Sequence, residues 1–274
     1  MSRRSDGATT AGVLANSERS GSAGWRPQRD TLIRGASLLS FLLIWQVAAV
    51  LAQDTTVPYP AVVFSRIGSE VASMALPHHL GVTLLRVAIS FAVAMVIGAA
   101  IGIAMGRWPV LDRFLDGWLV LGLNIPALVT IILCYIWFGL NDTAAIVAVA
   151  INKIPTVVVT VREGARAVDP RLMQVAHAYR VSQRRKFLQV YLPQIYPYLF
   201  AAARAGLSLI WKIVLVVELL GRSEGIGFQL NVFFQFFDIA GILAYTLVFA
   251  SVVLVIEALA VRPLERRLNR WRPH

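Results

Sequence analysis

Cysteine and charge are both scarce in this chain, and their scarcity excludes several classes of protein. Cys134 is the only cysteine among 274 residues, so a disulfide framework within the chain is excluded. Charged residues make up 15% of the sequence, against about 25% in soluble domains. The sequence contains no G-x-x-x-x-G-K-[ST] phosphate loop, and its four histidines form no cluster with acidic residues that would bind a metal. With 57% hydrophobic residues, the composition instead predicts a polytopic membrane protein.

Six apolar segments are long enough to cross a bilayer, which takes about 20 helical residues. They lie at 32–52, 82–105, 115–138, 143–161, 195–220 and 239–261. The first ends in Val50-Leu51-Ala52, which resembles a signal-peptide cleavage site, but the region before it is too long and the apolar run can span. The prediction is an all-α membrane protein with six transmembrane helices over 32–262, between a disordered tail at 1–31 and a basic tail at 263–274.

Basic residues fall almost entirely on one side of these segments. With the N-terminus inside, the inner segments hold 20 lysines and arginines, whereas the outer loops hold only Arg66 and Arg222. This positive-inside asymmetry predicts that both termini are cytoplasmic, in the inner membrane of a bacterium. The basic residues that give the formal charge of +11 then lie next to the anionic lipids of the cytoplasmic leaflet, which attract them. Nucleic acid is not expected, because its binding calls for basic residues interleaved with aromatics on a solvated surface.

The second apolar segment carries Gly98, Gly102 and Gly106 at intervals of four residues. This spacing places the three glycines along one face of a helix, where another backbone can approach closely. Packing against a helix of the same chain is the favoured interpretation, and contact with a second subunit is the alternative.

A polar segment at 162–194 interrupts the apolar pattern on the predicted cytoplasmic side. Asp169 can cap a helix that begins at Pro170, where a missing N–H is tolerated, and Ser182 can cap a second, basic helix. The apolar residues that share one face of the first helix are Leu172, Val175, Ala176 and Tyr179. The segment is therefore predicted to fold and to contact either a soluble partner protein or anionic lipid.

This segment resembles the EAA loop of binding-protein-dependent ABC importer permeases. That loop reads Glu-Ala-Ala, three residues, Gly, nine residues, then Ile-x-Leu-Pro, and this chain has Gln174-Val175-Ala176, Arg180 and Val190-Tyr191-Leu192-Pro193 at the same spacing. The resemblance extends over about 80–270 and is strongest to the nitrate/sulfonate/taurine branch. Its other matching segments are Thr83-Leu84-Leu85-Arg86, Ile125-Pro126, Trp137-Phe138-Gly139, Val168-Asp169-Pro170, Trp211 with Glu218, and Gly225-Ile226-Gly227.

Two residues of the loop depart from the family pattern. Gln174 stands where the family has glutamate, and Arg180 stands where it has glycine. Glycine allows a turn with positive φ between two short helices. Arginine either makes that turn at a cost of about 1 kcal/mol or more, or continues the helix. The departures fit neutral drift in a homodimeric transporter, or a heterodimer in which this subunit couples more weakly to its ATPase.

The resemblance implies a transport subunit that is not itself an enzyme. It implies a second permease subunit, two ABC ATPases that bind ATP and Mg, and an external solute-binding protein, with no cofactor in this chain. ATPase closure would rock the spans between inward-open and outward-open states. The residues implied at the ATPase-docking surface are Asp169, Pro170, Leu172, Gln174, Ala176, His177, Tyr179 and Arg180.

The translocation path is predicted from polar and aromatic residues inside the spans. The candidates are Asn124, Pro126, Trp211, Lys212 and Glu218. Ionisable residues inside a membrane are costly and usually face protein or water. Lys212 either attracts an anionic solute, such as a sulfonate or carboxylate, or pairs with Glu257. Glu218 is interpreted as a structural partner of Arg222 one helical turn away, and Pro126 as either lining the path or kinking its helix.

Two other functional classes compete with the importer permease. An ion-gradient-driven secondary transporter would not need the long cytoplasmic loop, and it would usually carry paired carboxylates inside its spans. Only Glu218 and Glu257 lie deep in the predicted membrane segments. An integral-membrane enzyme would need a nucleophile arrangement or a metal cluster, and no such pattern stands out in the sequence.

Overall fold

Helices dominate the structure, a computed structural model that describes residues 27–52 and 56–261. The chain divides into two units, 1–53 and 54–274. The first contains helix α1, Pro27–Ala52, whose residues 35–52 are apolar enough to span a membrane. The predicted tails at 1–31 and 263–274 lie outside the described residues, except that α1 already begins at Pro27.

The second unit supplies the remaining helices. They are α2 (Pro60–Ala72), α3 (Ala75–Arg107), α4 (Pro109–Asn124), α5 (Ala127–Phe138), α6 (Asp142–Arg166), α7 (Pro170–Ala178), α8 (Gln183–Arg185), α9 (Leu192–Gly221), α10 (Ile226–Gln235) and α11 (Ile239–Ile256). One π-helical segment, Lys186–Tyr191, joins α8 to α9, and another, Glu257–Val261, continues α11. The core gathers residues of six helices that are each at most 2% exposed: Val87, Ile131, Ala148, Val214, Ile226 and Tyr245.

The hydropathy pattern predicts most of the spans correctly. Among the described residues, five helices are long and apolar enough to cross a membrane, and a sixth crossing exists if the bent pair α4 and α5 counts as one. The candidate span at 115–138 is therefore not one continuous helix. Two short helices, α2 and α10, also lie where the sequence indicated only outer loops.

The break between α4 and α5 follows from Pro126. Proline lacks the N–H that would continue the hydrogen-bond ladder, and its ring pushes the preceding residue out of the helical region. Ile125 accordingly has extended backbone angles, φ −71° and ψ 123°. The two helix axes bend by 98° at this point, so Pro126 ends one helix rather than kinking a continuous one.

Segments that were predicted to share one side of the membrane lie together. At one end, Arg66 of α2 approaches Asp238 at 3.4 Å, and Glu70 accepts a hydrogen bond from Tyr245 Oη at 2.9 Å. At the other end, Asp112 of α4 forms ion pairs with Arg162 and Arg166 of α6. These contacts bring two of the predicted outer loops together at one end and two of the predicted inner segments together at the other.

The three spaced glycines of α3 pack against α6. A Cβ atom added at Gly98 would meet Val157, and one added at Gly106 would meet Ala165. Because both numbers rise by eight, the two helices run in the same direction, as expected for spans separated by one return crossing. The favoured interpretation of the glycines, close packing within the chain, is confirmed.

Substituting Gly102 by alanine should loosen this contact. A Cβ at this position would lie 2.9 Å from the carbonyl oxygen of Val158, and a backbone atom cannot move aside cheaply. We expect a destabilisation of about 1–3 kcal/mol, measured as a lower midpoint in thermal unfolding of the detergent-solubilised protein. Gly117→Ala is the matched control, since no atom lies within 4 Å of its added Cβ. Equal midpoints for the two variants would contradict the prediction.

Candidate coupling loop and translocation groove

The start of α7 is fixed by Asp169, as the sequence predicts. The Asp169 carboxylate accepts a hydrogen bond from the Arg171 N–H at 2.7 Å, and Pro170 occupies the first helical turn. The Asp169 N–H donates to Gln194 Oε1 at 2.9 Å. This second bond ties the beginning of α7 to the beginning of α9, so the loop is anchored to a transmembrane helix.

The end of α7 is closed by a turn that contains Arg180. The N–H of Arg180 donates to His177 O at 2.9 Å and the N–H of Val181 donates to Ala176 O at 3.0 Å, which is the Schellman pattern. Arg180 has φ 51°, where glycine would be about 1–2 kcal/mol more favourable. Of the two sequence interpretations, the strained turn is therefore correct, and the helix does not continue through Arg180.

The faces of α7 differ from the predicted arrangement at one residue. Ala176 is 6% exposed, and Met173 packs against a hydrophobic cluster formed mainly by α6 and α9. These two residues therefore form the inner face of α7. Leu172, Val175 and Tyr179 are 49%, 53% and 81% exposed. Ala176, which the resemblance implies at the docking surface, is buried instead, because a narrow stripe at i, i+3 and i+7 leaves position i+4 on the inner side. We call Leu172, Val175 and Tyr179 the outer stripe.

The predicted second helix of the loop is short and lacks its predicted side-chain cap. Ser182 precedes α8, but its side chain makes no capping hydrogen bond, and α8 has only three residues before the π-helical segment begins. Lys186 is buried, and its Nζ lies 3.4 Å from His177 Nδ1. This contact joins the last turn of α7 to the segment leading into α9, while Gln174 remains exposed.

Glu218 lies in a buried network near the turn between α9 and α10. Its carboxylate is fully buried and accepts hydrogen bonds from Arg86 at 2.7 Å, from Thr83 Oγ1 at 2.9 Å and from the Gly227 N–H at 2.9 Å. Arg86 also donates to Asp142 at 2.7 Å. The predicted pairing of Glu218 with a residue one turn away is therefore wrong.

Arg222 has other partners. Its guanidinium donates to Leu140 O at 2.6 Å and lies 3.2 Å from an Asp142 oxygen. The true partner of Glu218 could have been inferred from Arg86, because an arginine within a membrane span requires a carboxylate, and Asp142 and Glu218 are the nearest candidates by topology.

Gly225 completes this network at a position where no other residue fits. Its φ of 111° lies in a region that side chains rarely adopt, and an added Cβ would collide with the Glu218 carboxyl group. The Gly-Ile-Gly motif therefore lets the backbone of the turn approach a buried carboxylate closely.

A groove of about 530 Å³ lies between α9 and α11. Trp211 packs edge-to-face on Phe249 at one wall, with ring centroids 6.1 Å apart. Lys212 and Glu257 both line the groove, and within the described part of the chain no ion pair joins them. The other lining residues that bear on its chemistry are Arg204 and Ser208 on α9.

The five candidates for the translocation path do not form one site. Trp211 and Lys212 share the groove, whereas Glu218 is enclosed in its own network. Asn124 and Pro126 lie at the bend between α4 and α5, where both are exposed and Asn124 Nδ2 donates to Val120 O at 2.8 Å. Of the candidate set, Trp211 and Lys212 are the two residues that line this groove.

Comparison with known proteins places these features in a family. Residues 94–270 match the family described as binding-protein-dependent transport system inner membrane component. The chain is 26% identical to the taurine transport system permease protein TauC of Escherichia coli, over 90% of this chain and 92% of that protein. It is 28% identical to the bicarbonate transport system permease protein CmpB of Synechococcus elongatus, over 77% and 81%. Its fold is similar to an inward-facing MetNI methionine ABC transporter, with a TM-score of 0.62, 17% identity and coverage of 73% of this chain and 99% of that one.

Proposed function

This chain belongs to the family of binding-protein-dependent transport system inner membrane components, as a permease subunit of an ABC importer, and on that premise we propose its partners and solute. A cytoplasmic ATPase binds the outer stripe of α7 and performs the hydrolysis. The solute is a small anion that passes along the groove on α9. The complete transporter holds two permease subunits, which are two copies of this chain or this chain with a related one, together with two ATPases and an external binding protein.

The observation that carries the coupling proposal is the rigid presentation of the outer stripe. Both ends of α7 are closed by hydrogen bonds, and Asp169 and Lys186 tie the helix to segments that continue into α9. A displacement imposed on the stripe would therefore be transmitted to a transmembrane helix rather than absorbed by a flexible loop. Such rigid-body transmission is what alternating access needs.

The proposal of an anionic solute is supported by the groove and by the relatives. Lys212 is exposed along the groove, and no carboxylate of the described chain neutralises it. The relatives named for taurine and bicarbonate transport handle solutes that carry a sulfonate or carbonate group. Lys212, with Arg204 further along the same groove, places positive charge beside an aromatic wall, which suits a small anion of this kind.

The orientation of the chain is part of the proposal. A multi-pass inner-membrane protein of this family must place α7 where the ATPase lies, in the cytoplasm. The ion pairs of Asp112 with Arg162 and Arg166 lie at the same end of the fold as α7, in segments that carry the basic excess. Both termini are then cytoplasmic by the positive-inside rule.

Leu172→Asp should separate the permease from its ATPase. A charge on the outer stripe removes an apolar contact and leaves a carboxylate to be desolvated, so we expect recovery of the ATPase with a tagged permease to fall at least tenfold, about 1.4 kcal/mol. Leu172 is half-exposed, and the permease itself should fold normally. Met74→Asp makes the same change at an exposed site at the opposite end and serves as the control.

Two results would contradict the proposal. One is full recovery of the ATPase with Leu172→Asp. The other is solute uptake driven by an ion gradient in vesicles that contain the permease and no ATPase, which would favour a secondary transporter.

A further inference from the structure

Four arginines lie close to the outer stripe of α7 in the sequence. Arg171 lies on α7, Arg180 in the turn that follows it, and Arg184 and Arg185 on α8, and all four side chains are exposed. Within the described residues, none of the four forms an ion pair. The segment that carries the stripe therefore also carries four exposed cations that no carboxylate of the described residues neutralises.

The sequence close to α7 supplies almost no negative charge. Asp169 is the only acidic residue between positions 167 and 198, and its side chain is occupied as the cap of α7. A short distance away, by contrast, Arg162 is paired with Asp112 and Asp116. The arginines at the end of α6 are thus neutralised by ion pairs. Those around α7 have no ion pair in the described residues and are available to an external partner.

We propose that the surface which receives α7 is acidic, with carboxylates that pair with Arg180 and Arg184. This inference rests on the proposed docking of an ATPase at the outer stripe. It specifies the charge of the ATPase surface that receives the stripe, which we call the socket. With Gln174 in place of a glutamate, every charged side chain between positions 170 and 194 is a cation. An ATPase matched to this permease therefore differs in charge from one that receives an acidic loop.

The observations favour carboxylates of a protein over phosphates of lipid. Met173 on the inner face packs toward the cluster formed by α3, α6 and α9, so the outer stripe faces away from the membrane-spanning helices that lipid would surround. The helix has nine residues, and three apolar side chains bury too little area for stable insertion into a bilayer. A planar guanidinium also matches the two oxygens of a carboxylate in geometry.

Arg180 supports the inference through its backbone. Its left-handed conformation is one that glycine would adopt without strain, yet the turn retains an arginine. Backbone strain that is retained at an exposed position indicates a functional role for that residue. A charge that must be displayed at the end of α7 supplies such a function.

Variants of Arg180 separate charge from backbone strain. With the full-length permease in phosphatidylcholine nanodiscs and the ATPase that co-purifies with it, we expect Arg180→Glu to raise the Kd at least tenfold and Arg180→Lys to leave it within about twofold. Arg180→Gly relieves the strain but removes the charge, so it should also weaken binding. Arg113→Glu, at an exposed site on α4, makes the same charge change away from the stripe and should have no effect.

A carbodiimide reagent provides a direct probe, because it joins an amine to a carboxylate only when the two are in contact. In the complex of Arg180→Lys or Arg184→Lys, the introduced lysine should form an amide bond with an aspartate or glutamate of the ATPase, which mass spectrometry can locate. Arg113→Lys is the matched control and should give no such product.

The results distinguish the two levels of the proposal. If Leu172→Asp abolishes ATPase binding while Arg180→Glu does not change it, docking at α7 stands and the acidic socket is refuted. If neither variant changes binding, the docking site itself is wrong. If Arg180→Glu changes only the binding of the permease to phosphatidylglycerol vesicles, and not to the ATPase, the arginines bind lipid and the proposal is overturned.

Discussion

Replacing Glu218 by alanine is expected to destabilise the folded chain by about 3–5 kcal/mol, because it leaves a buried arginine without its counter-charge. Arg86 is 4% exposed, and its guanidinium bridges Glu218, Asp142 and the Glu224 carbonyl. Loss of the carboxylate would also deprive the Gly227 N–H of its acceptor, whereas Thr83 Oγ1 can still donate to His79 O at 3.1 Å. Each buried donor left unsatisfied adds about 1–3 kcal/mol to the cost, although Asp142 offsets part of it.

A double substitution tests whether the loss belongs to the pair. Arg86→Ala should be about as destabilising as Glu218→Ala, and the combination of both should cost less than the sum of the two, since no uncompensated charge then remains. Thermal unfolding midpoints and the folded yield of the detergent-solubilised protein give the measurement. Glu257→Gln is the control, as a half-buried carboxylate that has no ion-pair partner within the described chain.

The outcome also bears on the predicted role of Glu218 in the translocation path. A carboxylate that binds solute would give a variant with a normal unfolding midpoint and defective uptake. A carboxylate that locks the α9–α10 turn would give a low yield of protein, with near-normal uptake per folded molecule. A Glu218→Ala protein that is as stable as the unaltered chain would show that Glu218 does not stabilise the α9–α10 turn.

The transmembrane helices were predictable because long apolar runs have few other stable forms in a membrane. The bend at Ile125 was only partly predictable. Pro126 signals a disturbance, but neighbouring helices decide whether it produces a kink or a 98° break. Helices α2 and α10 were missed because they are short and amphipathic, and a hydropathy window of about 20 residues does not register segments of 13 and 10 residues.

The coupling loop was predictable at its ends, where local chemistry decides the structure. Asp169-Pro170 specifies a helix start without any tertiary contact. The orientation of Ala176 was not predictable, because the apolar pattern gives a stripe without saying which edge packs on the chain. The partner of Glu218 lies 132 residues away, and a single sequence gives a local partner such as Arg222 undue weight over a distant one.

The groove on α9 leads to the second large effect, on transport rather than stability. Replacing Lys212 by methionine should lower the initial rate of anion uptake at least tenfold, equivalent to about 1.4 kcal/mol. The amount of permease in the membrane should not change. Methionine keeps the unbranched apolar stem and removes the charge. Lys212 is exposed along the groove, so its loss leaves no buried group unpaired in the described chain, and the fold should tolerate it.

Charge, rather than shape, is what the substitution removes, and Lys212→Arg should therefore retain most of the uptake. In membrane vesicles assembled with the ATPase and the binding protein, radiolabelled solute and quantitative immunoblotting give rate per molecule of permease. If Lys212 instead serves as a structural partner of Glu257, then Lys212→Met and Glu257→Gln should both lower the amount of protein and spare the rate per molecule. Normal anion uptake by Lys212→Met would show that the groove passes its solute without this cation.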